Sequence, residues 1–348
     1  MAVLDIGSYS VKAMRKNSTA EVVLPEDTVG GTFTIPLLDA EKFSKALSDL
    51  QKTVRISPCH ILLPDQWARQ LFFTISGVPE GYTQDYLVWR AKEQIREEIS
   101  EGCKICVHVR SSREAAPEKP AEQSKKTPAP DKKHGAKKTA EASASNVNYV
   151  LDVYVCLIKE DILQSVNEIF AGADVDIASV DLTSHAIYNH VAQSADLKPD
   201  FAVINIGYEV TTVYFYSDFQ PAYVRIIETA GKHFFDVNEE GEGAGAADQT
   251  SKLMARKIFP EKFDAASLEE FDRGRSAAMD KLLKELHLTF EFFASKFPGV
   301  KLSDVYLSGG FCKIPGIDKF LANFFDMRVA LAADVEKIQF TPLAGIKE

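Results

Sequence analysis

The chain has 348 residues, 45% of them hydrophobic and 26% charged, with a net charge of −10. That length needs more than one compact core, and the balance is that of a folded globular protein rather than a disordered or fibrous one. The acidic net charge argues against a surface built for nucleic acid.

In chain order, AVLDIG reads as an apolar strand ending in the carboxylate of Asp5. Gly7 and Ser8 allow a tight turn, and a second strand over 11–14 carries Lys12. The segment 69–75 reads as a strand. The segment 83–98, TQDYLVWRAKEQIREE, has apolar residues at helical spacing and predicts an amphipathic helix. A strand over 105–109 leads into 111–146, which is rich in Ala, Pro and Lys and lacks aromatics. Such a stretch cannot bury enough surface to offset its ordering entropy, so the sequence predicts a disordered, locally basic loop. Its basic charge is that of a solvated insertion; a contact with an anionic surface or an acidic partner is the other reading. A strand over 149–158 leaves the loop, followed by a helix at 160–170, a strand at 176–180 and a helix at 182–193.

FAVINIG then repeats the pattern of AVLDIG: an apolar strand, Asp or Asn, Ile-Gly, a short turn and a second strand. Two copies about one domain length apart predict two related halves facing each other. The sheet continues over 220–227, and 239–247 reads as a loop. Helices are predicted around 249–258, 268–272 and 276–296. A strand from 304, the Gly309-Gly310 turn and a helix near 317–325 close the pattern. Trp89, Phe290, Phe292 and Phe293 read as core, and Lys252 as solvated. The five cysteines are odd in number and scattered, which suits reduced thiols. Cys103 and Cys106 have no second pair to complete a zinc site, and the seven histidines show no metal spacing. No apolar run reaches the ~20 residues of a membrane span and no cleavable leader is visible, so a cytoplasmic protein with indirect membrane association is expected.

Backbone amides in tight turns form anion-binding nests. Two such turns on opposing halves would grip a polyphosphate, with Asp5 as a hard-oxygen ligand for magnesium and Lys12 on a phosphate oxygen. Gly309 and Gly310 would let a nucleoside lie on the backbone. Each signal is weak alone, and each turn taken singly reads as an ordinary hairpin.

The order LDIGSYSVK, INIGYEVTT and YLSGGFCKIPGI resembles the two phosphate motifs and the adenosine motif of the actin/Hsp70/hexokinase superfamily. Within it the chain is most similar to the PilM family, the actin-like cytoplasmic proteins of type IV pilus assembly, and more distantly to FtsA. FFTISGVPEGYTQDYLVWRAKEQI, VYVCLIKEDILQSVNEIFAGADVDIASVDLTSHAI, KELHLTFEFFASKF and TPLAGI extend the likeness to nearly the whole chain outside 111–146. The resemblance implies an α/β, actin-like two-lobed fold of duplicated ribonuclease H-like domains with an FtsA-type inserted α/β subdomain. The first lobe would comprise 1–66 and 173–198, with 326–348 returning to it. The inserted subdomain would be 67–172, and the second lobe 199–325. It implies an ATP and Mg²⁺ site built from Asp5, Gly7, Ser8, Tyr9, Ser10, Lys12, Asn205, Gly207, Thr211, Gly231, Gly309, Gly310 and Phe311. Asp5 and Asp181 would be its catalytic carboxylates, although Asp181 also reads as a helix N-cap.

The implied partner is the cytoplasmic N-terminal segment of a PilN-like membrane protein. It would lie in a groove beside the inserted subdomain, with candidate lining residues in 72–78 and 87–95. Other inner-membrane pilus or secretion proteins follow as partners, and self-association into a homo-oligomer stays open. Asn205 stands where the superfamily has an aspartate, and the loop after Ile227 places Ala230 where a double glycine is usual; both point to slow or absent hydrolysis. Alternatives are a GspL-like secretion component and an active ATPase or small-molecule kinase.

Overall fold

The computed structural model describes residues 1–16, 18–115, 148–193, 196–234, 259–260, 267 and 277–334. The predicted loop over 239–247, the helices at 249–258 and 268–272, Lys252, TPLAGI and nearly all of 111–146 lie outside them.

The chain opens with a meander, β1 (Ala2–Ile6), β2 (Ser10–Arg15) and β3 (Ser18–Val23), followed by a small ribbon of β4 (Val29–Gly31) and β5 (Pro36–Leu38). Helix α1 (Ala40–Thr53) begins where Asp39 accepts the Lys42 amide at 3.0 Å, and it buries Phe43, Ala46, Leu47 and Leu50 on one stripe. Then come β6 (Cys59–Leu63), β7 (Ala68–Pro79), α2 (Gln84–Gln94), α3 (Glu97–Ser100), β8 (Cys103–Glu114), β9 (Asn148–Lys159) and α4 (Glu160–Gly172). The chain continues through β10 (Ile177–Leu182), α5 (Thr183–Val191), β11 (Phe201–Ile206), β12 (Thr211–Ser217) and β13 (Gln220–Ile227). It closes with α6 (Ala277–Lys296), β14 (Asp304–Ser308), α7 (Ile317–Phe325) and β15 (Arg328–Leu331).

These strands build two sheets of the same design. The first has the order β10-β6-β1-β2-β3 and the second β15-β14-β11-β12-β13. In each, an antiparallel meander supplies three strands and two parallel strands extend the sheet from the meander's first strand. This repeats one α/β layer twice, and the fold is the actin-like one. Residues 328–331, expected to return to the first lobe, instead form the parallel edge of the second sheet, with Val305 opposite Val329.

Helix α5 continues directly from β10 and lies against the second sheet, where Tyr188 stacks on Phe201 and Tyr216. The opposite face of that sheet packs on α6 and α7 through Phe215, Phe290 and Phe293, with the rings of Phe215 and Phe293 4.2 Å apart. Phe290 and Phe293 are core as expected. Phe292 (48% exposed) and Trp89 (53% exposed) are not, because each points to the outer side of its helix.

Among the described residues a separate compact unit comprises 71–101, 105–115 and 148–155, built on the sheet β7-β9-β8 with α2 beside it in sequence. The predicted helix over 83–98 is interrupted at Ile95, whose extended backbone ends α2. Within this unit Thr74, Ser111 and Arg113 all bond Asp152. Cys103 is buried and Cys106 exposed. Among the described residues no helix is long and apolar enough to cross a membrane, which says nothing of a β-barrel.

Candidate functional site

The β1–β2 ladder ends at the pair Ile6↔Val11, which leaves 7–10 as the turn. The β11–β12 ladder ends at Ile206↔Thr211 in the same way. The two turns are closed by the same bond: Gly7 donates to the Ser10 carbonyl at 3.0 Å, and Gly207 to the Val210 carbonyl at 3.0 Å. A side chain at Gly207 would place its Cβ 2.8 Å from that carbonyl, so the shape requires glycine.

Both turns open onto one cleft of ≈ 280 Å³. Its lining includes Asp5, Gly7, Ser8, Tyr9, Ser10 and Lys12 from the first hairpin and Asn205 and Gly207 from the second. Gly309, Gly310 and Phe311 come from the turn after β14. At Gly309 φ is +90°, and a Cβ there would sit 2.6 Å from Asn205 Oδ1 and closer still to the Ile206 carbonyl. Gly309→Ala is therefore expected to lower stability by about 1–3 kcal/mol, read as a lower urea midpoint. At Gly310 a Cβ would meet nothing within 4 Å, so its backbone lies open.

Asp5 and Lys12 face each other across the hairpin register. Asp5 Oδ1 accepts from Thr183 Oγ1 at 3.1 Å, the first residue of α5. Asp5 sits deep among protein atoms yet reaches solvent through the cleft. Burial pushes its carboxyl above the usual carboxylate range, while Lys12 and Thr183 pull it back. Lys12 pairs with Glu21 at 3.7 Å, and Glu21 also accepts from Ser10 Oγ at 2.6 Å. Tyr9 and Tyr208, one from each turn, lie with ring centroids 5.3 Å apart.

Three expected site residues stand outside the cleft lining. Thr211 is buried and donates to the Thr229 carbonyl at 2.8 Å. Strand alternation hands the cleft to Thr212 instead. Gly231 donates to the Gly207 carbonyl at 3.0 Å and is packed so tightly against the Phe311 ring that no Cβ would fit; it braces the second turn from behind. Asp181 binds His185 Nδ1 at 2.5 Å and its oxygen also accepts the Leu182 amide at 2.8 Å. Burial alone would lower the His185 pKa, but the bond and charge of Asp181, aided by Asp65, raise it. A raised folded value stabilises the protein fully below the unfolded pKa of about 6.5 and is lost as pH rises past the folded one. His185→Gln should therefore remove a stability increment measurable at pH 6 and much smaller at pH 9.

Sequence reasoning missed Asp65, Gln66, Thr183 and Lys313, which also line the cleft. Lys313 brings a second cation from the turn after β14. Asp65 follows the short strand β6, whose five residues gave no period to read.

A nucleotide with magnesium fits these residues on three observations. The turn at Gly207 has room only for glycine, the Gly310 backbone is open, and Asp5 offers a hard oxygen opposite Lys12 in a lining that also holds Lys313. Among the described residues no cluster of three or more His, Cys, Asp or Glu could hold a metal alone. Magnesium commonly takes one or two carboxylates and completes its shell with water and phosphate.

The family model described as Type IV pilus assembly protein PilM matches residues 138–344, more than half of the chain. The chain belongs to this family. Among solved structures it is similar to one described as a PilM-PilN type IV pilus biogenesis complex, with 16% identity, a TM-score of 0.57, and 94% of this chain and 86% of that chain covered. It also matches MreB5 of Spiroplasma citri bound to ADP, at 12% identity and a TM-score of 0.45, covering 96% and 92% of the two chains. EutJ from Carboxydothermus hydrogenoformans matches at 9% identity and a TM-score of 0.43, covering 95% and 83%. No curated protein matches the chain. For this member of the PilM family the PilM-PilN structure, at a TM-score of 0.57, supports the shared fold.

Proposed function

We propose that the chain is a nucleotide-binding scaffold of type IV pilus assembly. It binds ATP with magnesium in the cleft, hydrolyses it slowly or not at all, and takes the cytoplasmic N-terminal segment of a PilN-like inner-membrane protein. The observation that carries the nucleotide reading is the convergence of two identically closed glycine turns and the open Gly310 backbone on one cleft with Asp5 and Lys12. Family membership and the fold shared with the PilM-PilN complex support the pilus role and the partner. Membrane association would then run through that partner.

Magnesium, when bound, offsets phosphate charge. Asp5 would hold it, Lys12 and Lys313 would meet phosphate oxygens, and the amides around Gly7 and Gly207 would bind the anion. Gly309 and Gly310 would admit the nucleoside. The neutral amide of Asn205 and the engagement of Asp181 by His185 take both candidate bases out of play, which supports slow turnover.

Calorimetry of ATP binding with and without magnesium tests the reading, with Gly310→Ala as the informative variant. Its methyl touches no protein atom, so the melting temperature should hold while ATP affinity falls about tenfold or more. Equal affinity in both proteins contradicts the nucleoside placement. A synthetic PilN-like segment should be retained on immobilised protein in the presence of ATP, and no retention under any nucleotide condition contradicts the partner assignment.

A further inference from the structure

Helix α5 starts without help from its own cap. Leu182 precedes it, and no side chain at that position bonds the first-turn amides that lack an intrahelical acceptor. The missing acceptor comes from far away in sequence: Asp65 Oδ2 accepts the Ser184 amide at 3.0 Å. Asp65 is 3% exposed and Ser184 2% exposed, so this bond lies in the interior. A carboxylate at a helix N-terminus also meets the positive end of the helix dipole. The other oxygen of Asp65 accepts from Gln70 Nε2 at 3.3 Å. The buried Tyr214, from the second sheet, lies beside the same carboxyl.

The residue just before Ser184 is Thr183. Its hydroxyl has one proton and two acceptors in reach, Asp5 Oδ1 at 3.1 Å and the Leu63 carbonyl at 3.2 Å. Leu63 stands two residues before Asp65. One short stretch at the end of β6 therefore fixes the start of α5 twice, and the start of α5 in turn holds Asp5.

We infer that Asp65 is a positioning residue of the site: by anchoring the first turn of α5 it places the Thr183 hydroxyl on one oxygen of Asp5 and leaves the other oxygen directed to the cation. The inference rests on the magnesium-nucleotide reading given above. Both Asp65 oxygens already have donors, which sets it apart from Asp5 as a cation ligand.

The test uses the full chain, with ATP and magnesium chloride as probes. Calorimetric ATP affinity is measured in magnesium and in EDTA, and amide exchange is followed at the start of α5 without nucleotide. Circular dichroism and melting curves report folding of each variant. Asp65→Ala and Thr183→Val should each lower the magnesium-to-EDTA affinity ratio about tenfold. Asp65→Asn keeps an acceptor and Thr183→Ser keeps the hydroxyl, so both should restore most of that ratio. Exchange at Ser184 should quicken in Asp65→Ala and stay slow in Asp65→Asn.

If Asp65→Asn loses the ratio as fully as Asp65→Ala, the charge itself is needed and Asp65 acts directly on the cation or substrate, which overturns the inference. An unchanged ratio and unchanged exchange in Asp65→Ala overturns it too. If the unmodified protein binds ATP equally with and without magnesium, the Asp5 assignment fails and the inference with it. The exchange data then show separately whether Asp65 anchors α5.

Discussion

Asp5→Ala is expected to weaken ATP binding in magnesium by roughly a hundredfold, the scale of ~3 kcal/mol for losing a charged contact, while affinity in EDTA changes far less. Asp5 faces Lys12 across the hairpin and is held by Thr183; Glu21, which also lines the cleft, is engaged by Lys12 and Ser10. Asp65, the other buried acid of the cleft, is occupied by Ser184 and Gln70.

The same residue should show a cost in the free protein. Burial raises its folded pKa above the unfolded value. For a raised value the stabilising contribution is complete below the unfolded pKa, about 3.9, and is lost as pH rises through the folded one. Above both values, ionising this partly desolvated carboxylate therefore costs stability. Asp5→Asn, which keeps the shape, is expected to melt at a higher temperature than the unmodified protein at pH 7 while binding MgATP poorly. A lower melting temperature for Asp5→Asn would show that its charge is well compensated in the free protein.

The second large effect is structural. Trp67 is 1% exposed and its indole Nε1 donates to the Gly30 carbonyl at 2.6 Å. Gly30 in turn lies under Glu209, whose Oε2 would be 2.5 Å from any Cβ placed there, and Glu209 pairs with Lys232 at 3.2 Å. Trp67→Ala removes a buried bicyclic ring and a buried bond together, and about 3–5 kcal/mol of stability should go with it. Trp67→Phe keeps most of the apolar volume and should lose less. Chemical unfolding followed by circular dichroism measures both. Intrinsic fluorescence offers an independent reading, since the other tryptophan, Trp89, is 53% exposed. Loss of Trp67 should leave a red-shifted spectrum.

Much of the site could be read from sequence because its glycine turns carry local signatures. AVLDIG and FAVINIG fold as matching hairpins, and the double glycine after β14 opens onto the same cleft. What could not be read depends on tertiary register. Asp65 and Thr183 enter the site only because β6 and β10 run parallel to β1 and bring their ends together. Thr211 and Thr212 are both threonines at a strand start, and only the pleat decides which faces the cleft. The strand at 328–331 joins the second sheet because β14 offers it a parallel edge, a choice that four residues cannot announce. Trp89 and Phe292 are aromatic in amphipathic helices, yet they lie on outward faces, since aromaticity does not fix a side.

The central claim is that the turns at Gly7 and Gly207 hold a triphosphate between them with magnesium at Asp5. The most direct measurement is a crystal structure of the protein grown with ATP and magnesium. Density for the phosphates against both turns, with the ion beside Asp5, is the predicted result; nucleotide bound elsewhere, with this cleft empty, would contradict the account.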